Sequence, residues 1–213
     1  PAAGGKLRDC VLGSNGWFSE ADGGHGHAFY TQSDGTNLVE LDNVLFRPGF
    51  QYALHGYGSG DARLKGFRVR DCIFVYAPFI LGGGTPVEDA EIMDCVSWGT
   101  TETLGFSDTE NETIALQRNR FLNGGRMYFT RFKNADVMEN LFHTMQGQQV
   151  WYTRSETPAS QAFDANAYHG SADFYEEGVG VYSNLAAWQN ATGFDATSTY
   201  SVSDLTQNVR KIV

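Results

Sequence analysis

Tyr30, Gln32, His55 and Tyr57 are the residues whose types and spacing come nearest to a chemical site. In an extended segment, alternate side chains project to the same side. If Phe29 and Leu54 point inward, Tyr30 and Gln32 point outward from one segment, and His55 and Tyr57 from the other. A His/Tyr group of this kind suits proton transfer. One member would act as the base that abstracts a proton, and a tyrosine as the acid that protonates a leaving oxygen. The rings would also stack on a sugar. The plainer alternative is an external aromatic column that only packs against a loop.

Other candidates are weaker. His27 shares parity with Phe29 and is expected to be a core histidine; a bend at Ala28 would instead add it to the substrate-binding set. His25, His27 and His55 lack a companion carboxylate set, so no metal is expected, and no cofactor either. Arg126 and Tyr128 share an outward parity if Met127 and Phe129 face inward. Arg126 would anchor a sugar carboxylate, with a surface ion pair as the plainer alternative. Trp151 and Tyr152 would extend the aromatic column or pack in the core. No pair of carboxylates stands out as a glycosidase acid and nucleophile.

Repeats indicate what must position these residues. A short pattern of a charged or polar residue, then Cys or Asn, then an apolar residue returns along the chain. Its Cys/Asn positions are 10, 43, 72, 95, 119, 140 and 166, with gaps of 33, 29, 23, 24, 21 and 26 residues. A period in the twenties with variable insertions is the mark of a solenoid. Between the copies lie short alternating segments, such as Leu64-Lys65-Gly66-Phe67-Arg68-Val69 and Ala135-Asp136-Val137-Met138, which read as strands. The expectation is a right-handed parallel β-helix of about seven rungs. Residues 1–182 form the rungs, and residues 183–213 form a cap and tail of the same domain. Ser183 or Asn184 N-caps a short helix there, Leu185 and Trp188 share a face, and Gly193 ends it.

Stacked Asn residues would form a hydrogen-bonded ladder, and Cys10, Cys72 and Cys95 would replace Asn in it as reduced, buried small residues. The first coil begins in mid-stack at Lys6-Leu7-Arg8, which leads us to expect further rungs upstream, or self-association at that edge.

The chain resembles bacterial right-handed β-helix repeat proteins of the pectate-lyase-like superfamily, and the C-terminal portion of such proteins in particular. Gly26-His27-Ala28-Phe29-Tyr30-Thr31-Gln32-Ser33 resembles a G-H-G-I-Y-x-Q-N motif, with Ala28 and Ser33 departing from it. Gly49-Phe50-Gln51-Tyr52-Ala53-Leu54-His55-Gly56-Tyr57-Gly58 is similar to a following G-x-G-I-H-x-Y-G rung. The run from Leu185 to Ser198 resembles an L-x-x-W-Q-x-x-T-G-x-D-x-x-S terminus. The resemblance implies fold more than function, because the superfamily holds polysaccharide lyases, glycoside hydrolases, epimerases and adhesins.

Composition narrows the classes. With 213 residues, 19% charged and 14% aromatic, the chain has the makings of a packed core. A net charge of −10 argues against nucleic acid as a partner. No apolar run is long enough to span a bilayer. The expected partner is a polysaccharide or surface glycan and the expected location is extracellular or cell-surface, with a structural or adhesive assembly protein as the alternative. Two sequons, at Asn111 and Asn190, matter only if the source glycosylates secreted proteins.

Overall fold

The computed structural model describes residues 5–13, 26–31, 38–49, 52–58, 64–106, 110–144, 147–171 and 173–202. Its strands wind into a parallel β-helix with three faces. Face one stacks Leu64–Arg70, Val87–Met93, Asn111–Gln117, Phe132–Met138 and Ser160–Asp164. Face two stacks Ile73–Val75, Val96–Trp98, Arg120–Leu122, Leu141–Thr144, Ala167–Gly170 and Thr199–Ser201. Face three stacks Phe29–Thr31, Leu54–Gly56, Phe79–Gly82, Thr103–Phe106, Met127–Thr130, Gln148–Thr153 and Asp173–Glu176. Gly180–Tyr182 then closes face three as an antiparallel edge. The regular part is about five turns, fewer than the seven rungs expected. The difference lies at the start, where Gly5–Leu12 and Val39–Phe46 each run unbroken through the corner between faces one and two.

That corner explains the repeat. One residue turns it in the left-handed region in each of the regular turns, Asp71, Asp94, Arg118, Glu139 and Ala165, and Asp9 and Asn43 do so within the two unbroken strands at the start, all with φ between 52° and 57°. Asp and Asn tolerate this conformation best. The residue that follows points inward and forms the ladder. Backbone N–H groups of Cys95, Asn119 and Asn140 donate to the side-chain oxygens of Asn119, Asn140 and Asn166 at 2.9, 3.0 and 2.9 Å. The three amide nitrogens donate in turn to the carbonyls of Ile92, Leu116 and Val137. Each Asn thereby satisfies two buried backbone groups, an N–H and a carbonyl, on the rung before it.

One expected ladder residue is misplaced. Asp42 pairs with Arg8 and Val44 with Cys10, so Asn43 is the corner residue and Val44 stands in the ladder. Asn is at home in both places, which is why the sequence pattern slips by one. Cys72 and Cys95 are buried in ladder positions and Cys10 is half-buried; all three are free thiols. The Cys72 N–H donates to the Cys95 sulfur at 3.4 Å, a weaker rung than the Asn ones.

Interior aromatics stack as the rungs do. Phe46 lies on Phe74 at 4.7 Å between ring centres, and beyond Ser97 in the same column Phe142 stacks on both Phe121 and Tyr168 at 5.2 Å. Face one is coated with charges of alternating sign. Lys6, Glu40, Arg68 and Glu91 occupy one register column, and Lys6 pairs with Glu40 and Arg68 with Glu91. Opposite charges on adjacent strands favour this register over a slipped one.

The C-terminal helix, Leu185–Thr192, closes the interior. Asn184 caps it by accepting from the Ala187 N–H at 2.8 Å, and Gly193 leaves it at φ 75°. Trp188 is fully buried and stacks on Phe174. Asp195, also fully buried, accepts from Asn166, Tyr168, Trp188 and Ser198, joining the last ladder residue to the cap.

Candidate functional site

Face three carries the outward groups. Its register places Tyr30, His55, Ile80, Thr103, Tyr128, Trp151 and Tyr175 in one continuous column. At a rung spacing of about 4.8 Å the column runs roughly 29 Å. Aromatic groups cluster at its two ends, and between them stand Ile80, which is buried, and Thr103, which is partly buried.

At the first end, Tyr30 and His55 are direct register partners with ring centres 5.3 Å apart. Tyr57 lies 6.4 Å from Tyr30 and 5.7 Å from His55. His27 is half-buried rather than a core residue, because the paired strand begins only at Phe29 and alternation does not reach back to it. Its ring lies 4.8 Å from His55, 5.4 Å from Tyr30 and 5.6 Å from Tyr52. His27 Nε2 faces His55 Nδ1 at 3.5 Å. Burial, helped by the His27 charge, pushes the His55 pKa down to about 4, so His55 is neutral through the physiological range. Gln32 and His25 lie outside the described residues.

At the other end, Tyr128 and Trp151 are 5.5 Å apart and Trp151 and Tyr175 4.0 Å. The Arg126 guanidinium lies over Trp151 at 4.8 Å and over Tyr128 at 5.8 Å. Arg126 is thus held by cation–π contact rather than by the surface ion pair that was the plainer expectation. Trp151 extends the column, whereas Tyr152 is fully buried and donates to Gln161. Arg126 and Tyr128 do not join the His/Tyr group: Tyr128 stands three rungs from His55, roughly 14 Å along the column.

Behind this face lies a buried acid that neither residue type nor spacing marks out. Glu102 is 2% exposed. Its carboxyl accepts from the Phe79 N–H at 2.7 Å and from the Ser97 and Thr100 hydroxyls. Burial raises its pKa to about 7, with those three hydrogen bonds pulling the other way. It borders a small enclosed cleft shared with Arg126, His143 and Gln149. One acid among 25 carries no mark in its own local sequence of being buried.

The sequons separate. Asn111 is fully buried and its side chain bonds Val87, Gly105 and Thr130, a structural role, while Asn190 is exposed on the capping helix. Among the described residues no three His, Cys, Asp or Glu side chains converge as metal ligands, and no helix is long and apolar enough to cross a membrane. No family model, curated protein or solved structure matches the chain.

Proposed function

We propose that face three is a glycan-binding surface and that the protein is a secreted or cell-surface β-helix of the pectate-lyase-like kind. The observation that supports this best is the outward column with Arg126 laid over Trp151. Aromatic rings offer apolar faces to the C–H side of a pyranose. The guanidinium keeps its planar edge for a carboxylate, which favours an acidic polysaccharide. Because the chain carries −10 overall, affinity would come from these contacts rather than from long-range attraction.

Lyase-like processing is the finer form of this reading. Neutral His55 would take the C5 proton of a uronic acid, the C4–O bond would break to leave a C4=C5 double bond, and Tyr30 would protonate the departing oxygen. Tyr57 completes the group. Isothermal titration with polygalacturonate and alginate oligosaccharides tests binding; the expected result is saturable binding weakened at least about tenfold by Trp151→Ala. Equal affinity in the variant would remove the proposal. Appearance of an unsaturated uronate product that disappears in His55→Ala would support the lyase form. The alternating charge columns of face one and the Asn ladder favour a rigid rod, the property that a structural or adhesive role would use.

A further inference from the structure

The His27–His55 pair has a geometry that a glycan platform does not require. The two residues sit on adjacent coils whose strands are locked in register, Phe29 against Leu54 and Tyr30 against His55. His27 Nε2 and His55 Nδ1 lie 3.5 Å apart. That gap is long for an N–H···N hydrogen bond, which prefers about 2.7–3.2 Å. It is close to the bite of a tetrahedral metal ion: two M–N bonds of about 2.0–2.1 Å at the tetrahedral angle place the nitrogens about 3.4 Å apart.

We propose that His27 Nε2 and His55 Nδ1 together bind one divalent transition-metal ion. Imidazole pairs select Zn(II), Cu(II) or Ni(II) over the hard ions Ca(II) and Mg(II), which take oxygen ligands. The surroundings hold the rings in place. Tyr52 stacks on His27 and lies 5.3 Å from His55, while Tyr30 and Tyr57 wall the other sides. A ring fixed by packing loses less entropy on binding a metal than a free surface histidine. Tyr30 is half exposed, and His27 and His55 are themselves only partly buried. No third His, Cys, Asp or Glu joins them among the described residues. The net charge of −10 draws cations to the surface. Metal binding here is independent of glycan recognition at Trp151, and either can hold without the other.

The test uses the full chain with Cu(II) chloride and Zn(II) chloride, and with Ca(II) chloride for comparison. Calorimetry is expected to show one equivalent of Zn(II) or Cu(II) bound and no heat from Ca(II). The Cu(II) paramagnetic resonance spectrum of the unmodified protein is expected to carry coupling from two imidazole nitrogens. His27→Gln and His55→Gln should each weaken Zn(II) binding at least about tenfold, and His169→Gln should leave it unchanged. Absence of saturable binding, a Cu(II) spectrum with fewer than two imidazole nitrogens, or full affinity in either variant of the pair overturns the proposal. If a variant does not fold, as judged by circular dichroism, the spectrum of the unmodified protein decides alone.

Discussion

Asn140→Ala should be among the most damaging single substitutions in the molecule, out of proportion to the few atoms it removes. Asn140 is 1% exposed. Its oxygen accepts from the Asn119 backbone N–H and side-chain amide, both at 3.0 Å. Its amide nitrogen donates to the Leu116 carbonyl at 2.7 Å and to Asn166 at 3.2 Å. Alanine would leave the Asn119 N–H and the Leu116 carbonyl without these partners inside the stack. Each such group costs about 1–3 kcal/mol, so the loss should be about 4 kcal/mol. That is a large share of a net stability of about 5–15 kcal/mol. Urea unfolding followed by circular dichroism measures it. The control is Asn134→Ala, a half-buried face-one residue with a single 3.4 Å bond, which should change stability by less than about 0.5 kcal/mol. A loss below about 1 kcal/mol for Asn140→Ala, or equal losses for the two variants, would refute the reasoning that the ladder satisfies the interior.

Three other outcomes follow from the same geometry. Cys95→Asn should stabilise the fold by about 1 kcal/mol in the same urea assay, because the Cys72 N–H and the Val69 carbonyl already stand where an Asn would bond them. Glu102 keeps its proton in the folded state up to about pH 7, whereas the unfolded chain loses it near the ordinary carboxyl value of 4.5. Its stabilising contribution is therefore complete below about pH 4.5 and is lost as pH rises to about 7, a fall of about 3 kcal/mol that Glu102→Gln should abolish; an unchanged pH profile in the variant would contradict this. The His55 ring should titrate near pH 4 by nuclear magnetic resonance, and a midpoint near the ordinary 6.5 would mean that its burial has been misjudged.

Much of the fold was legible because a solenoid writes its structure locally. The ladder at Cys95, Asn119, Asn140 and Asn166 and the helix opened by Asn184 could be read from residue type and spacing alone. The slip at Asn43 shows where such reading stops. Asn satisfies both an inward ladder and a left-handed corner, and only the pairing of Val44 with Cys10 decides between them. Parity alone would send His27 inward, but it lies just before the strand, beyond a bend at Ala28. The outward sides of Tyr30 and His55 followed from alternation, but their distance from Arg126 and Tyr128 depends on how many coils intervene. Glu102 was invisible because its Phe79 N–H partner comes from the coil before, and nothing in the types of Ser97 and Thr100 on its own coil shows that their hydroxyls turn inward to it.

The most direct measurement of the glycan surface is the set of tryptophan indole resonances during titration with an acidic oligosaccharide. Trp151 stands in the face-three column, Trp98 on face two and Trp188 inside the cap. The predicted result is a saturable shift of the Trp151 indole signal, with Trp98 and Trp188 unmoved. A shift confined to Trp98, or no shift with any acidic oligosaccharide, would contradict the assignment of face three as the binding surface.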